Sequence, residues 1–131
     1  MTNNRPRPPR VRGLRHFLAA FGYSVSGLRR LWGEAAFRQE ILMGIAVVIL
    51  LAFLKATAVE YMVFGLLFLV LAAVEALNTA IEVLVDHLSP EWSEFARDAK
   101  DMGSFAVMCC LLAHGIFAGY VIVDRLLATG A

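Results

Sequence analysis

The chain has 131 residues, 60% of them hydrophobic, against about 45–50% in an ordinary soluble domain. With a mean hydropathy of +0.69, this composition excludes a disordered chain and argues against a water-soluble globule. The net charge of +1 hides an asymmetry. Through residue 38 the basic residues are Arg5, Arg7, Arg10, Arg12, Arg15, Arg29, Arg30 and Arg38, opposed by Glu34 alone. A basic arm ahead of apolar segments suits an anionic membrane surface or a polyphosphate as partner, and charge alone does not separate the two.

Residues 1–12, with Pro6, Pro8 and Pro9 among arginines, read as a disordered basic tail, and 13–131 as one membrane domain. From Leu14 the pattern changes. Leu14, Phe17, Leu18, Phe21, Val25, Leu28 and Leu31/Trp32 recur at steps of three and four, which predicts an amphipathic helix over 14–32 lying on the membrane surface. Gly22 and Gly27 mark places where it could break. The apolar run begins only at Ile41 and no small-residue cleavage site follows it, so no cleaved signal peptide is expected.

Three apolar segments follow, predicting spans over about 36–58, 61–86 and 102–124, each long enough for hydrocarbon of about 30 Å. The first two form an antiparallel hairpin across residues 55–60, and 87–101 reads as a loop. Arginine and lysine bias places the N-terminus and the 87–101 loop in the cytoplasm and the C-terminus outside. The expected fold is an all-α membrane protein with three transmembrane helices and an N-terminal surface helix. Cys109 and Cys110 are helix neighbours pointing about 100° apart, so no disulfide is expected between them. His114 is expected to be packed and hydrogen-bonded to a neighbouring helix.

The second span carries Glu75, Asn78, Thr79, Glu82 and Asp86. At about 100° per residue, Glu75, Asn78, Glu82 and Asp86 share a face about 80° wide, with Glu75 about 16 Å deeper along the axis than Asp86. A charge at mid-membrane costs about 2.5 kcal/mol or more, so such a stripe faces a polar cavity or the protein interior. Closely spaced carboxylates hold a hard cation such as Mg²⁺, shared with substrate phosphates, or exchange protons. The shallower Glu82 suits a metal ligand. Glu75, desolvated and deeper, suits a general base. Glu34 to Glu40 before the first span and Lys100 to Ser104 at the third fall at the same membrane face. Glycine-rich nucleotide loops and His/Cys metal spacings are absent from the sequence.

The run Glu75-x-x-Asn78-Thr79-Ala80-x-Glu82-x-x-x-Asp86 follows Glu34-Ala-Ala-Phe-Arg38-Gln-Glu40 and precedes Ala99-Lys100-Asp101-Met-Gly103-Ser104. Together, over roughly residues 14–125, these motifs closely resemble the prokaryotic diacylglycerol kinases. The resemblance implies a homotrimeric bundle in the bacterial inner membrane, with active sites shared between protomers. The implied reaction is transfer of the γ-phosphoryl of MgATP to diacylglycerol, giving phosphatidic acid. It assigns Glu75 as base with Asn78 in support, and Glu34 and Glu82 as Mg²⁺ ligands. ATP contacts fall to Arg15, Tyr23, Glu34, Glu82, Asp86, Glu91, Trp92, Lys100 and Asp101, and lipid contacts to Glu75, Ser104 and Arg38. No nucleic acid is implied as a partner.

Two other readings compete. Ser89-Pro90-Glu91 is reminiscent of undecaprenol kinases of the same architecture, whereas Phe37-Arg38-Gln39-Glu40 favours the diacylglycerol group. A proton- or cation-coupled transporter could also use the acidic stripe. It would have no need of the Glu34 and Lys100-Asp101 clusters, and internal repeats are absent.

Overall fold

The computed structural model describes residues 13–129, so the basic tail expected over 1–12 lies outside the described residues. Among the described residues there are four helices and no strand: α1 (Leu14–Trp32), α2 (Ala35–Phe53), α3 (Ala58–Leu88) and α4 (Glu94–Thr129). The chain divides into an N-terminal unit ending at Gly33 and a body beginning at Glu34.

The N-terminal unit contains α1. Gly13 precedes the helix at φ 68°, a left-handed conformation that glycine adopts at little cost. Arg29 and Arg30 occupy its last turn, where cations oppose the negative end of the helix dipole. The helix runs through Gly22 and Gly27 without a break. Phe17, Leu18, Phe21 and Leu28 are exposed.

In the body, Ala35–Phe53, Ala58–Leu88 and Glu94–Ala128 are long and apolar enough to cross a membrane. Helices α2 and α3 form the expected hairpin, and its turn is tightly specified. Lys55 closes α2 at φ 53°, with its amide bonded to the Ala52 carbonyl at 3.1 Å and the Ala56 amide to that of Leu51 at 2.9 Å. This is a Schellman closure with a lysine in the left-handed position. Thr57 then opens α3 with a capping box. Its hydroxyl accepts from the Glu60 amide at 3.3 Å while Glu60 Oε2 accepts from the Thr57 amide at 2.6 Å.

Helix α4 locks this turn. Arg125 donates from Nε to the Leu54 carbonyl at 3.2 Å and from Nη2 to Glu60 Oε2 at 2.6 Å, and it also pairs with Asp124. Beneath it, Leu51, Phe64 and Val121, one from each helix, form the buried core with Val47, Phe68 and Phe117 around them. Lipid offers no hydrophobic drive for helices to associate, so close packing and small residues decide where they touch. At Gly44 a Cβ would come within 2.6 Å of the Phe68 ring, so the missing side chain admits that ring.

Two expectations need correction. Residues 87–101 are not one loop: α3 continues to Leu88 and α4 begins at Glu94, leaving 89–93 as the connection. Ser93 Oγ accepts from the Ala96 amide at 3.2 Å and starts a turn whose charged residues, Arg97 to Asp101, hide its helical character in a search for apolar periodicity. His114 does pack on a neighbour, lying edge-on to Phe64 and Phe68 at 5.8 and 6.4 Å. Its hydrogen bond stays in its own helix, Nδ1 to the Cys110 carbonyl at 2.8 Å. Both cysteines are free thiols.

Arg125→Ala is expected to lower the thermal midpoint in detergent by several degrees. Adding Glu60→Gln should then lower it by less than that change does alone, because both act on one network. Circular dichroism melts check this.

Candidate active site

The stripe on α3 behaves as depth demands. Glu75 is only 3% exposed and Asn78 8%, Glu82 is half-buried, and Asp86 is exposed. Polar groups on a spanning helix are covered where hydrocarbon would surround them and released where water begins. Asn78 Nδ2 donates to Glu82 Oε1 at 3.1 Å, fixing the orientation of that carboxylate by an i, i+4 bond on the same face. Asn78 Oδ1 is buried without a hydrogen-bond partner among the described residues.

What lets α4 cover the stripe is Gly103. A Cβ there would stand 2.1 Å from Asn78 Oδ1, so only glycine allows the two helices this close. The sequence motif contains Gly103, but nothing in the sequence says that it faces Asn78.

Three elements enclose a recess of about 230 Å³ lined by Glu34, Ala36, Glu75, Asn78, Thr79, Glu82, Ser104 and Val107. It brings together the expected base, its supporting amide, both expected metal ligands and one expected lipid contact. Glu34 enters as the residue before α2, in extended backbone (φ −81°, ψ 135°), which takes its side chain off the helical path. Glu34 and Glu82 are the charged neighbours of Glu75. Arg38 is exposed on α2 and is not part of the lining.

A second recess of about 320 Å³ gathers Ser89, Pro90, Glu91, Trp92, Ser93, Ala96, Arg97, Lys100 and Asp101. Four of the residues expected at ATP therefore share one site, on the 89–93 connection and the first turns of α4. Lys100 Nζ lies 2.5 Å from Asp86 Oδ1, both groups partly exposed. A pair so exposed is weak and its lysine is exchangeable toward an incoming anion. Arg97 is held by Asp98 at 2.8 Å. Arg15 and Tyr23 are exposed on α1, in the N-terminal unit.

Sequence reasoning gave no role to Glu40. It is 6% exposed, its Oε2 finds no partner among the described residues, and Glu75 is its charged neighbour. The signal available was an acid directly before the apolar run that starts at Ile41, at the end of the Phe37-Arg38-Gln39-Glu40 motif.

The donor set suits a hard cation held jointly with phosphates. Among the described residues no group of three or more His, Cys, Asp or Glu side chains forms a closed metal cage. Glu34 and Glu82, the two carboxylates expected to hold a metal, line the recess together with Glu75. Mg²⁺ is usually bound by one or two carboxylates and completed by substrate phosphates, so the residues present fit it.

Gly103→Ala should destabilise the α3–α4 pair by about 1–3 kcal/mol, the usual cost of overpacking. Gly115→Ala, with nothing within 4 Å of the added carbon, should leave the melting temperature unchanged. Thermal melts of the two variants in one detergent make the comparison.

The family described as prokaryotic diacylglycerol kinase matches residues 22–122. A diacylglycerol kinase of Sinorhizobium sp is 48% identical over 111 residues, covering 85% of this chain and 81% of the relative. Those of Escherichia coli (strain K12) and Pseudomonas aeruginosa are 38% and 39% identical over 101 and 100 residues, each covering 76% of this chain and 83% and 81% of the relatives. With that match across the three helices that build the recess, the chain belongs to the prokaryotic diacylglycerol kinase family.

Proposed function

We infer that this chain transfers the γ-phosphoryl group of ATP to the free hydroxyl of diacylglycerol, giving phosphatidic acid and ADP. The observation that carries the reading is the recess itself: a buried carboxylate, Glu75, and two less buried carboxylates, Glu34 and Glu82, line one cavity.

In this reading Glu75 takes the proton of the lipid hydroxyl as its oxygen attacks the γ-phosphorus and the bond to the β-phosphate oxygen breaks. Phosphoryl transfer asks mainly for positioning and charge compensation. Glu34 and Glu82 would hold Mg²⁺, which when bound neutralises phosphate charge. Asn78 keeps Glu82 in place through its 3.1 Å hydrogen bond. Lys100 would exchange Asp86 for phosphate oxygens, while Asp101, Glu91 and Trp92 line the recess suited to the rest of the nucleotide. Ser104, on the lining beside Glu75, would steady the lipid headgroup. A lipid hydroxyl arrives sideways from the bilayer and ATP from water, which explains a base set deeper than the ligands.

The assembly belongs to the same proposal: a homotrimer in the bacterial inner membrane, N-terminus in the cytoplasm, sites shared between protomers. The arginine-rich N-terminal arm supports that orientation, and the long apolar helices with exposed Leu42, Leu66 and Leu69 leave faces for lipid or further subunits.

Glu75→Gln is expected to cut lipid phosphorylation by at least about a thousandfold with the oligomer unchanged by size-exclusion chromatography; retained turnover sinks the base assignment. Glu82→Gln should raise the Mg²⁺ concentration giving half-maximal rate by about tenfold or more, read from a metal titration at saturating ATP. Given purified diacylglycerol and undecaprenol side by side, the chain should phosphorylate diacylglycerol faster, and the reverse order overturns the substrate.

A further inference from the structure

Two cations line the recess at the start of α4, Lys100 and Arg97. Lys100 is among the residues expected at ATP, and Arg97 is not. We propose that Arg97 is a second nucleotide-binding residue, gripping the phosphates of the ADP half of ATP while Lys100 serves the γ end. This assignment rests on the lipid-kinase reading and deepens it.

Position comes first. Arg97 and Lys100 stand three residues apart on α4, so they differ by about 60° around the helix and about 4.5 Å along it. Lys100 is the one tied to the acidic stripe of α3, through Asp86. Arg97 lies nearly one turn closer to the 89–93 connection, whose Glu91 and Trp92 line the same recess. Running outward from the carboxylates, the order is Lys100, Arg97, then Trp92. A nucleotide with its γ-phosphate at Glu34 and Glu82 and its adenine at Trp92 passes its inner phosphates by Arg97.

The local backbone holds that spacing. Ser93 Oγ caps α4 by accepting from the Ala96 amide at 3.2 Å, and the Ser93 carbonyl accepts from the Arg97 amide at 3.1 Å. The Ser89 hydroxyl donates to the Glu91 carbonyl at 3.2 Å and lies 2.9 Å from the Ser93 hydroxyl. The connection carrying Glu91 and Trp92 is thereby fastened to the residue that positions Arg97.

The guanidinium is also open to exchange. Its Nε and Nη2 both donate to one oxygen of Asp98, at 3.1 and 2.8 Å, and Nη1 has no hydrogen bond among the described residues. Asp98 is not part of the recess lining, so it holds Arg97 from outside. With the two side chains 51% and 60% exposed, this pair contributes little. A phosphate offers the same fork stronger, charge-assisted bonds. Arg97 would grip the part of the nucleotide that stays behind as ADP, and so bind ground and transition states alike. Such uniform binding shows in KM and leaves kcat unchanged.

The test measures phosphorylation of dioleoylglycerol in mixed micelles by Arg97→Gln and Arg97→Lys, with MgATP varied and MgADP as competitive inhibitor. Both variants replace a half-exposed side chain and leave no cavity. Arg97→Gln is expected to raise the KM for ATP about tenfold, and the inhibition constant of ADP by the same factor. Its kcat and its KM for the lipid stay within about twofold of wild type, and Arg97→Lys falls between the two. An unchanged KM for ATP overturns the assignment, leaving Arg97 as the partner of Asp98 alone. So does a loss confined to kcat, or a raised KM for ATP with ADP inhibition unmoved, which would put the contact on the γ-phosphate. Wild-type protein that phosphorylates no lipid overturns the kinase reading. Binding of radiolabelled ADP by equilibrium dialysis then still decides the role of Arg97, through the ratio of wild-type to Arg97→Gln affinity.

Discussion

A carboxylate carried into hydrocarbon has to be enclosed by protein, and the body of this chain is arranged around that requirement. On α3 the acids pass from the buried Glu75 through the half-buried Glu82 to the exposed Asp86, following the environment that a spanning helix would meet along its length. Enclosure needs neighbouring backbones within side-chain reach of the stripe. In a membrane that closeness is obtained by removing side chains rather than by hydrophobic force. Gly103 does so toward Asn78, and Gly44 toward Phe68. A methyl group at either glycine would push against the element that carries the acids.

The far end of the hairpin sets the register of the near end. Measured from the turn at 1.5 Å per residue, Glu34 lies about 28 Å down α2, while Glu75 and Glu82 lie about 26 and 36 Å down α3. Glu34 therefore comes level with the space between Glu75 and Glu82 only if the turn closes at the right residue. The Schellman closure at Lys55, the capping box at Thr57 and the clamp of Arg125 on Leu54 and Glu60 fix that residue. A slip of one position would shift Glu34 by about 1.5 Å, a displacement that on the proposed reading would cost catalytic geometry heavily. Structural residues about 26 Å from Glu75 thus govern whether the carboxylates meet.

Much of this was legible in the sequence because periodicity is a property of one helix at a time. The shared face of Glu75, Asn78, Glu82 and Asp86, the depth order along it, the three apolar helices and the amphipathic α1 all follow from spacing. What the sequence withheld depends on which helix faces which. Gly103 against Asn78, Arg125 against Glu60, and Glu40 beside Glu75 are pairings between segments, and no period within either segment announces them. The start of α4 was hidden for another reason: its first turns are charged, so they read as loop until Ser93 is seen bonding the Ala96 amide. His114 shows the converse. A lone histidine in an apolar run suggests a partner across helices, yet the nearest acceptor is the carbonyl four residues earlier in its own helix.

The depth of Glu75 also bears on what the site must prevent. ATP bound near water is exposed to hydrolysis, and a base within reach of bulk water would promote it. Burial of Glu75 to 3% exposure, among Ala36, Thr79 and Val107, limits the water available to it. On the proposed reading, the group best able to reach this carboxylate is a hydroxyl presented from the bilayer. Discrimination between lipid and water as acceptor then comes from the direction of access, with no need for a lid over the acceptor. On that reading, the same burial that makes the acid costly to keep in a membrane would give the transfer its selectivity.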